Sequence, residues 1–135
     1  MADIALTDVR KDIEVMQGNT SIIEFTLRDV GAGPLDMTGY TVQIQVRSSY
    51  ESTDWAINLT LANGGIEWVS QSTGVFKANI TPAVTTNKSK IRFTSESPDV
   101  WEGVYDVEVN SNTDFPGIQK PWYGDFTILR EVTRV

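Results

Sequence analysis

Between Tyr40 and Arg47 the chain alternates without a break, with Tyr40, Val42, Ile44 and Val46 apolar and Thr41, Gln43, Gln45 and Arg47 polar. Successive side chains of a strand point to opposite faces, so this pattern predicts a half-buried strand launched from the polar turn that ends at Gly39. The same grammar recurs along the chain. A short strand, Asp12 to Val15, precedes a turn at Gln17-Gly18-Asn19. A second runs from about Thr20 to Arg28, with Ile23, Phe25 and Leu27 inward and Glu24, Thr26 and Arg28 outward. Gly31, Gly33 and Pro34 end it, because glycine admits positive φ and proline lacks a ladder donor.

Downstream, Trp55 to Leu61 places Trp55, Ile57, Leu59 and Leu61 inward, and Asn63-Gly64 predicts a type I′ hairpin into Ile66–Val69. A strand over Val75–Ile80 follows, and Thr81-Pro82 reads as the cap and first position of one helical turn over Ala83 and Val84. Lys88 to Phe93 alternates again, which would set Lys88, Lys90 and Arg92 on one strand face. Val104–Val109 puts Tyr105, Val107 and Val109 inward; a turn-rich connection from Asn110 to Pro121, containing Pro116-Gly117, leads to a last strand over about Trp122–Leu129. Short strands with turn signals at near-regular spacing predict an all-β fold, an antiparallel two-sheet sandwich with one short helical turn. Its expected core is Phe25, Leu27, Val42, Ile44, Ile57, Leu59, Phe76, Tyr105, Val107, Phe126 and Ile128. Residues 1–11 carry Ile4, Leu6 and Val9 without a sustained period and read as an N-terminal arm. That arm is either a frayed end or a segment docked on a neighbouring subunit; residues 12–135 form the single domain.

Composition narrows the function. A chain of 135 residues is one domain's worth and needs no staples. Without cysteine it has no disulfides or thiolate metal sites, which suits assembly in a reducing cytoplasm. A net charge of −7 repels phosphate backbones and anionic headgroups, so neither nucleic acid nor a membrane is an expected partner. Apolar runs are too short for a membrane span, and the N-terminus lacks the basic and apolar regions of a secretory signal. Acid–base chemistry near neutral pH leans on histidine, and there is none. Ser89 between Lys88 and Lys90, and the carboxylate pairs Asp106/Glu108 and Asp99/Glu102, read as solvated surface rather than catalytic groups. No calcium-loop or phosphate-loop motif occurs. The expectation is a protein that is not an enzyme and carries no cofactor or metal.

Three segments in order, Val15-Met16-Gln17-Gly18-Asn19-Thr20, Phe25-Thr26-Leu27-Arg28-Asp29 and Leu35-Asp36-Met37-Thr38-Gly39-Tyr40-Thr41-Val42, carry a resemblance. Thr73-Gly74-Val75-Phe76, Gly103 to Val109, Gly124-Asp125-Phe126-Thr127-Ile128 and Glu131-Val132-Thr133-Arg134 continue it. Together they resemble the immunoglobulin-like N-terminal domain of phage upper baseplate proteins and small stand-alone virion proteins, from about Val15 to Arg134. The resemblance implies an immunoglobulin-like sandwich that is a building block of a tailed-phage tail, baseplate or neck. Such a protein is made in the host cytoplasm, ends in the virion, and has copies of itself and other virion proteins as partners in a symmetric oligomer. Asn87 to Glu102 and Asn110 to Tyr123 are longer than the family's usual connections. Trp101, Phe115, Trp122 and Tyr123 fall in those stretches and, with Ile4, Leu6, Val9, Lys88, Lys90 and Arg92, are the candidate interface. The alternatives are a carbohydrate- or host-receptor-binding sandwich, for which the same tryptophans would stack on sugar rings, and a capsid decoration protein. For the cations, the alternative is an edge strand guarded by lysines against unwanted pairing.

Overall fold

The computed structural model describes residues 9–29, 33–34, 36–111 and 117–130. The strands are β1 (Val9–Arg10), β2 (Ile13–Met16), β3 (Ser21–Thr26), β4 (Arg28–Asp29), β5 (Gly33–Pro34), β6 (Tyr40–Arg47), β7 (Ile57–Thr60), β8 (Ile66–Ser70), β9 (Val75–Ile80), β10 (Val100–Ser111) and β11 (Gly117–Leu129). Among the described residues a 3-10 turn covers Gln71–Thr73, and one helical turn, α1, covers Pro82–Thr85. The protein is all-β.

Two sheets carry the fold. The large one has six strands: β1 and β2 both lie along β11, followed by β10, β6 and β7. The small one orders β3-β9-β8, and β4 with β5 makes a separate two-stranded pair. Inner faces of both sheets meet in one apolar core that contains every position expected there, from Phe25 to Ile128. Phe25 stacks on Phe76 within the small sheet at 5.2 Å, and Tyr105 meets Phe126 edge-on at 6.2 Å within the large one.

The expected antiparallel arrangement does not hold throughout, because the large sheet is mixed. Val9 pairs with Trp122 and Ile13 with Phe126, both parallel, so the N-terminal segment follows the C-terminal strand in one constant register. Its closeness is built into the sequence: a Cβ added at Gly124 would lie 2.5 Å from the Lys11 carbonyl oxygen, so only glycine admits the approach. Val9 and Arg10, near the end of the expected arm of residues 1–11, are therefore part of the sheet.

Three further expectations fail for physical reasons. Asn63-Gly64 makes no hairpin, since β7 pairs with β6 in the large sheet and β8 with β9 in the small one. The connection is a crossover between sheets, and only Gly64 adopts positive φ (+78°). Lys88–Phe93 is no strand but a turn followed by irregular chain. Finally, β10 and β11 are longer than alternation suggested; their register shifts between Val107 and Val109, next to Pro121, which has no N–H to give.

Candidate functional site

The N-terminal edge is held by charge and by one buried phenol. Arg10 reaches Asp12 at 3.2 Å and Asp125 at 3.1 Å, and the Asp12 carboxylate accepts the Asp125 N–H at 2.9 Å. Beneath them the Tyr105 hydroxyl donates to the Lys11 carbonyl, tying β10 to the junction of β1 and β2. Burial, and then the negative charge of Asp12, hold this phenol well above the usual tyrosine range. Lys11 in turn sets its ammonium 4.9 Å from the centre of the Phe25 ring, across the mouth between the sheets. Of the candidate arm residues, Val9 lies in β1, while Ile4 and Leu6 lie outside the described residues, as does Phe115.

The two tryptophans expected at an interface face the core instead. Trp101 is 8% exposed, and its ring folds across Gly103, where a Cβ would lie 2.5 Å from it. It shares the inward parity of Tyr105 and Val107 on β10, which alternation alone would have shown had β10 been read back to Val100. Trp122 packs against the core, 5.0 Å from Phe25 and 6.1 Å from Phe76. Of the candidate aromatic residues among those described, Tyr123 turns outward, at 37% exposure.

The basic triplet does not share one face. Ile91 is buried and anchors the segment, and Phe93 packs against the core beneath the Arg130 guanidinium at 5.6 Å. Lys90 bends onto its own molecule, where its ammonium sits 3.0 Å from the Asp54 carboxylate and 4.6 Å from the Trp55 ring centre. Lys88 and Arg92 stay exposed at the turn, and Arg92 Nε donates to the Lys88 carbonyl at 3.4 Å. Trp55, expected inward, is 38% exposed because β7 begins only at Ile57. No sequence signal points to the Lys90–Trp55–Asp54 group, because Lys90 lies far along the chain from the adjacent Asp54 and Trp55.

The outer face of the large sheet is polar. Gln43 Nε2 donates to Asn58 Oδ1 at 2.7 Å, and Arg47 donates to Gln45 Oε1 at 2.8 Å and to the Ser52 carbonyl at 2.7 Å. A shallow groove of about 340 Å³ there is bordered by Gln45, Arg47, Tyr50, Asp106 and Glu108. Among the described residues no group of three His, Cys, Asp or Glu side chains is placed to hold a metal ion. No helix of the described residues is long and apolar enough to cross a membrane. No family model matches the chain, and no curated protein matches its sequence.

Proposed function

We propose that this chain is a structural component of a tailed-phage particle, in the tail, baseplate or neck, working by protein–protein assembly and not by catalysis. One observation carries the reading: within the described residues, the family-like segments fall, in order, on strands and on the turns that launch them, while Leu35 and Glu131-Val132-Thr133-Arg134 lie outside those residues. Gln17-Gly18-Asn19 joins β2 to β3, Asp36 to Gly39 leads into β6, and Thr73-Gly74 leads into β9. At Asp36 the carboxylate accepts from the Thr38 hydroxyl at 2.7 Å and its N–H at 3.0 Å, which lowers the Asp36 pKa and sets the turn before Gly39. An N-terminal segment lying parallel to the last strand, across from a smaller sheet, also suits an immunoglobulin-like sandwich. The reading is tested by mass spectrometry of gradient-purified particles of the phage that encodes the chain, with immunogold labelling to locate it. Absence of the chain from particles that are otherwise complete would defeat it.

A second reading has its own support. The groove beside Tyr50, which is 68% exposed, gathers an amide, a guanidinium and carboxylates next to an aromatic ring, the groups a saccharide hydroxyl array would meet. Glycan-array binding by the isolated chain, lost in Tyr50→Ala, would favour a receptor-binding role instead.

A further inference from the structure

Sheet edges offer unpaired backbone donors and acceptors, and proteins defend them. Among the described residues, three of the four edges of the two main sheets are defended. Along β7 the Asn63 side chain acts as a substitute strand: its Oδ1 accepts the Thr60 N–H at 3.0 Å and its Nδ2 donates to the Asn58 carbonyl at 2.9 Å. The β8 ladder is bulged between Trp68 and Ser70. The β1–β2 edge is interrupted between Arg10 and Ile13 and carries the charges of Arg10, Lys11, Asp12 and Glu14.

The fourth edge, β3, is neither bulged, interrupted nor closed by a side chain, and it carries a single charge, Glu24. Ser21 to Thr26 pairs with β9 in an unbroken register and contains no lysine, no proline and no bulge. The Leu27 N–H donates to the Gly74 carbonyl at 2.8 Å, continuing that register. Bonded pairs alternate along an antiparallel ladder, so Ile23 and Phe25 exchange bonds with β9, and the N–H and C=O groups of Ile22, Glu24 and Thr26 face outward along the edge. Among the described residues these groups have no backbone partner. Ile22 adds a side chain that is 60% exposed, the most exposed aliphatic large side chain among the described residues.

We infer that β3 is a strand-addition edge for a second copy of this chain, paired antiparallel about a twofold axis with Ile22 opposite Ile22. Only residues whose backbone groups face the edge can bond across it, which restricts the register to pairings among the even-numbered positions. Centring on Glu24 would set like charges directly opposite, and a pairing of Ile22 with Glu24 would set an apolar side chain against a carboxylate. Centring on Ile22 covers the two exposed isoleucines with each other and leaves Glu24 opposite Thr20. Joined so, the two small sheets become one continuous sheet across the pair, and the contact closes on itself. The inference takes from the assembly reading only that copies of the chain meet.

A chain without cysteine makes the test clean. Opposed residues in such a ladder have Cα atoms roughly 5.5 Å apart, within disulfide reach. Ile22→Cys, Glu24→Cys and, as a control on the other edge, Val69→Cys are purified as the full chain and mildly oxidised. Ile22→Cys should cross-link at least about tenfold faster than either other variant, because docking raises the local thiol concentration. The wild-type chain should sediment as a dimer, and Ile22→Lys, with unchanged circular dichroism, should sediment as a monomer. A wild-type chain that stays monomeric overturns the inference. So does an Ile22→Cys that cross-links no faster than Val69→Cys, or that cross-links only when mixed with Glu24→Cys. None of these measurements uses particles, so a negative result leaves the assembly reading standing, and absence from particles leaves the edge pairing standing.

Discussion

Replacing Trp122 by alanine removes a ring that lies 5.0 Å from Phe25 and 6.1 Å from Phe76, at the seam where the two sheets meet. Truncating a packed aromatic leaves a cavity the neighbours only partly fill, so the isolated domain should lose about 3 kcal/mol in urea denaturation. An interface residue would leave that midpoint in place. Tyr105→Phe isolates a second contact, the hydroxyl donated to the Lys11 carbonyl, and should cost about 1–2 kcal/mol at neutral pH. The same variant has a pH signature. The folded phenol titrates above its unfolded value of about 10, so its stabilisation is complete below that pH and is lost as pH rises toward the folded value. The wild-type chain should therefore lose stability above pH of about 10 more steeply than Tyr105→Phe, as thermal unfolding across alkaline buffers will read.

At the scale of elements, Lys90 and its neighbours part company. Lys90→Glu breaks the contacts to Asp54 and Trp55 and should lower stability by about 1 kcal/mol or less, whereas Lys88→Glu with Arg92→Glu should leave the denaturation midpoint unchanged. Alternation in sequence made β6 and β9 legible to the residue, since both bury one face against the other sheet. The same alternation misled at Lys88–Phe93. There Ile91 and Phe93 are held by packing on the core while their backbone bonds to a turn, as in the Ile91 N–H to Asn87 carbonyl contact at 2.8 Å. Asn63-Gly64 misled because its hairpin meaning presupposes that flanking strands pair. Here the chain leaves one sheet for the other, and the asparagine is used to close an edge. Trp101 and Trp122 lie on strands and not in loops for a related reason: β10 and β11 extend beyond their alternating centres, to Val100 and Gly117. Which strands pair, and hence which edges stay open, depends on contacts between segments distant in sequence, and periodicity holds no record of them.

For the molecule as a whole, the boundary at residue 12 cuts through a ladder. Removing residues 1–11 deletes β1, the ion pairs of Arg10 and the acceptor of the Tyr105 hydroxyl, and should cost about 2–3 kcal/mol in urea denaturation. The direction of that ladder has a further result. Since the segment from Val9 to Met16 runs parallel to Trp122–Leu129, the chain enters the sheet at one end and leaves at the other. Tension applied through the two ends therefore loads this ladder lengthwise, and its hydrogen bonds must fail together instead of peeling one by one. The protein should behave as a stiff link: atomic-force pulling through its ends should need a markedly higher rupture force than pulling through residues 22 and 130, a geometry that bypasses the N-terminal strand. A replacement of Gly124 by alanine, which forces the Lys11 carbonyl and the N-terminal segment away from β11, should erase most of the difference.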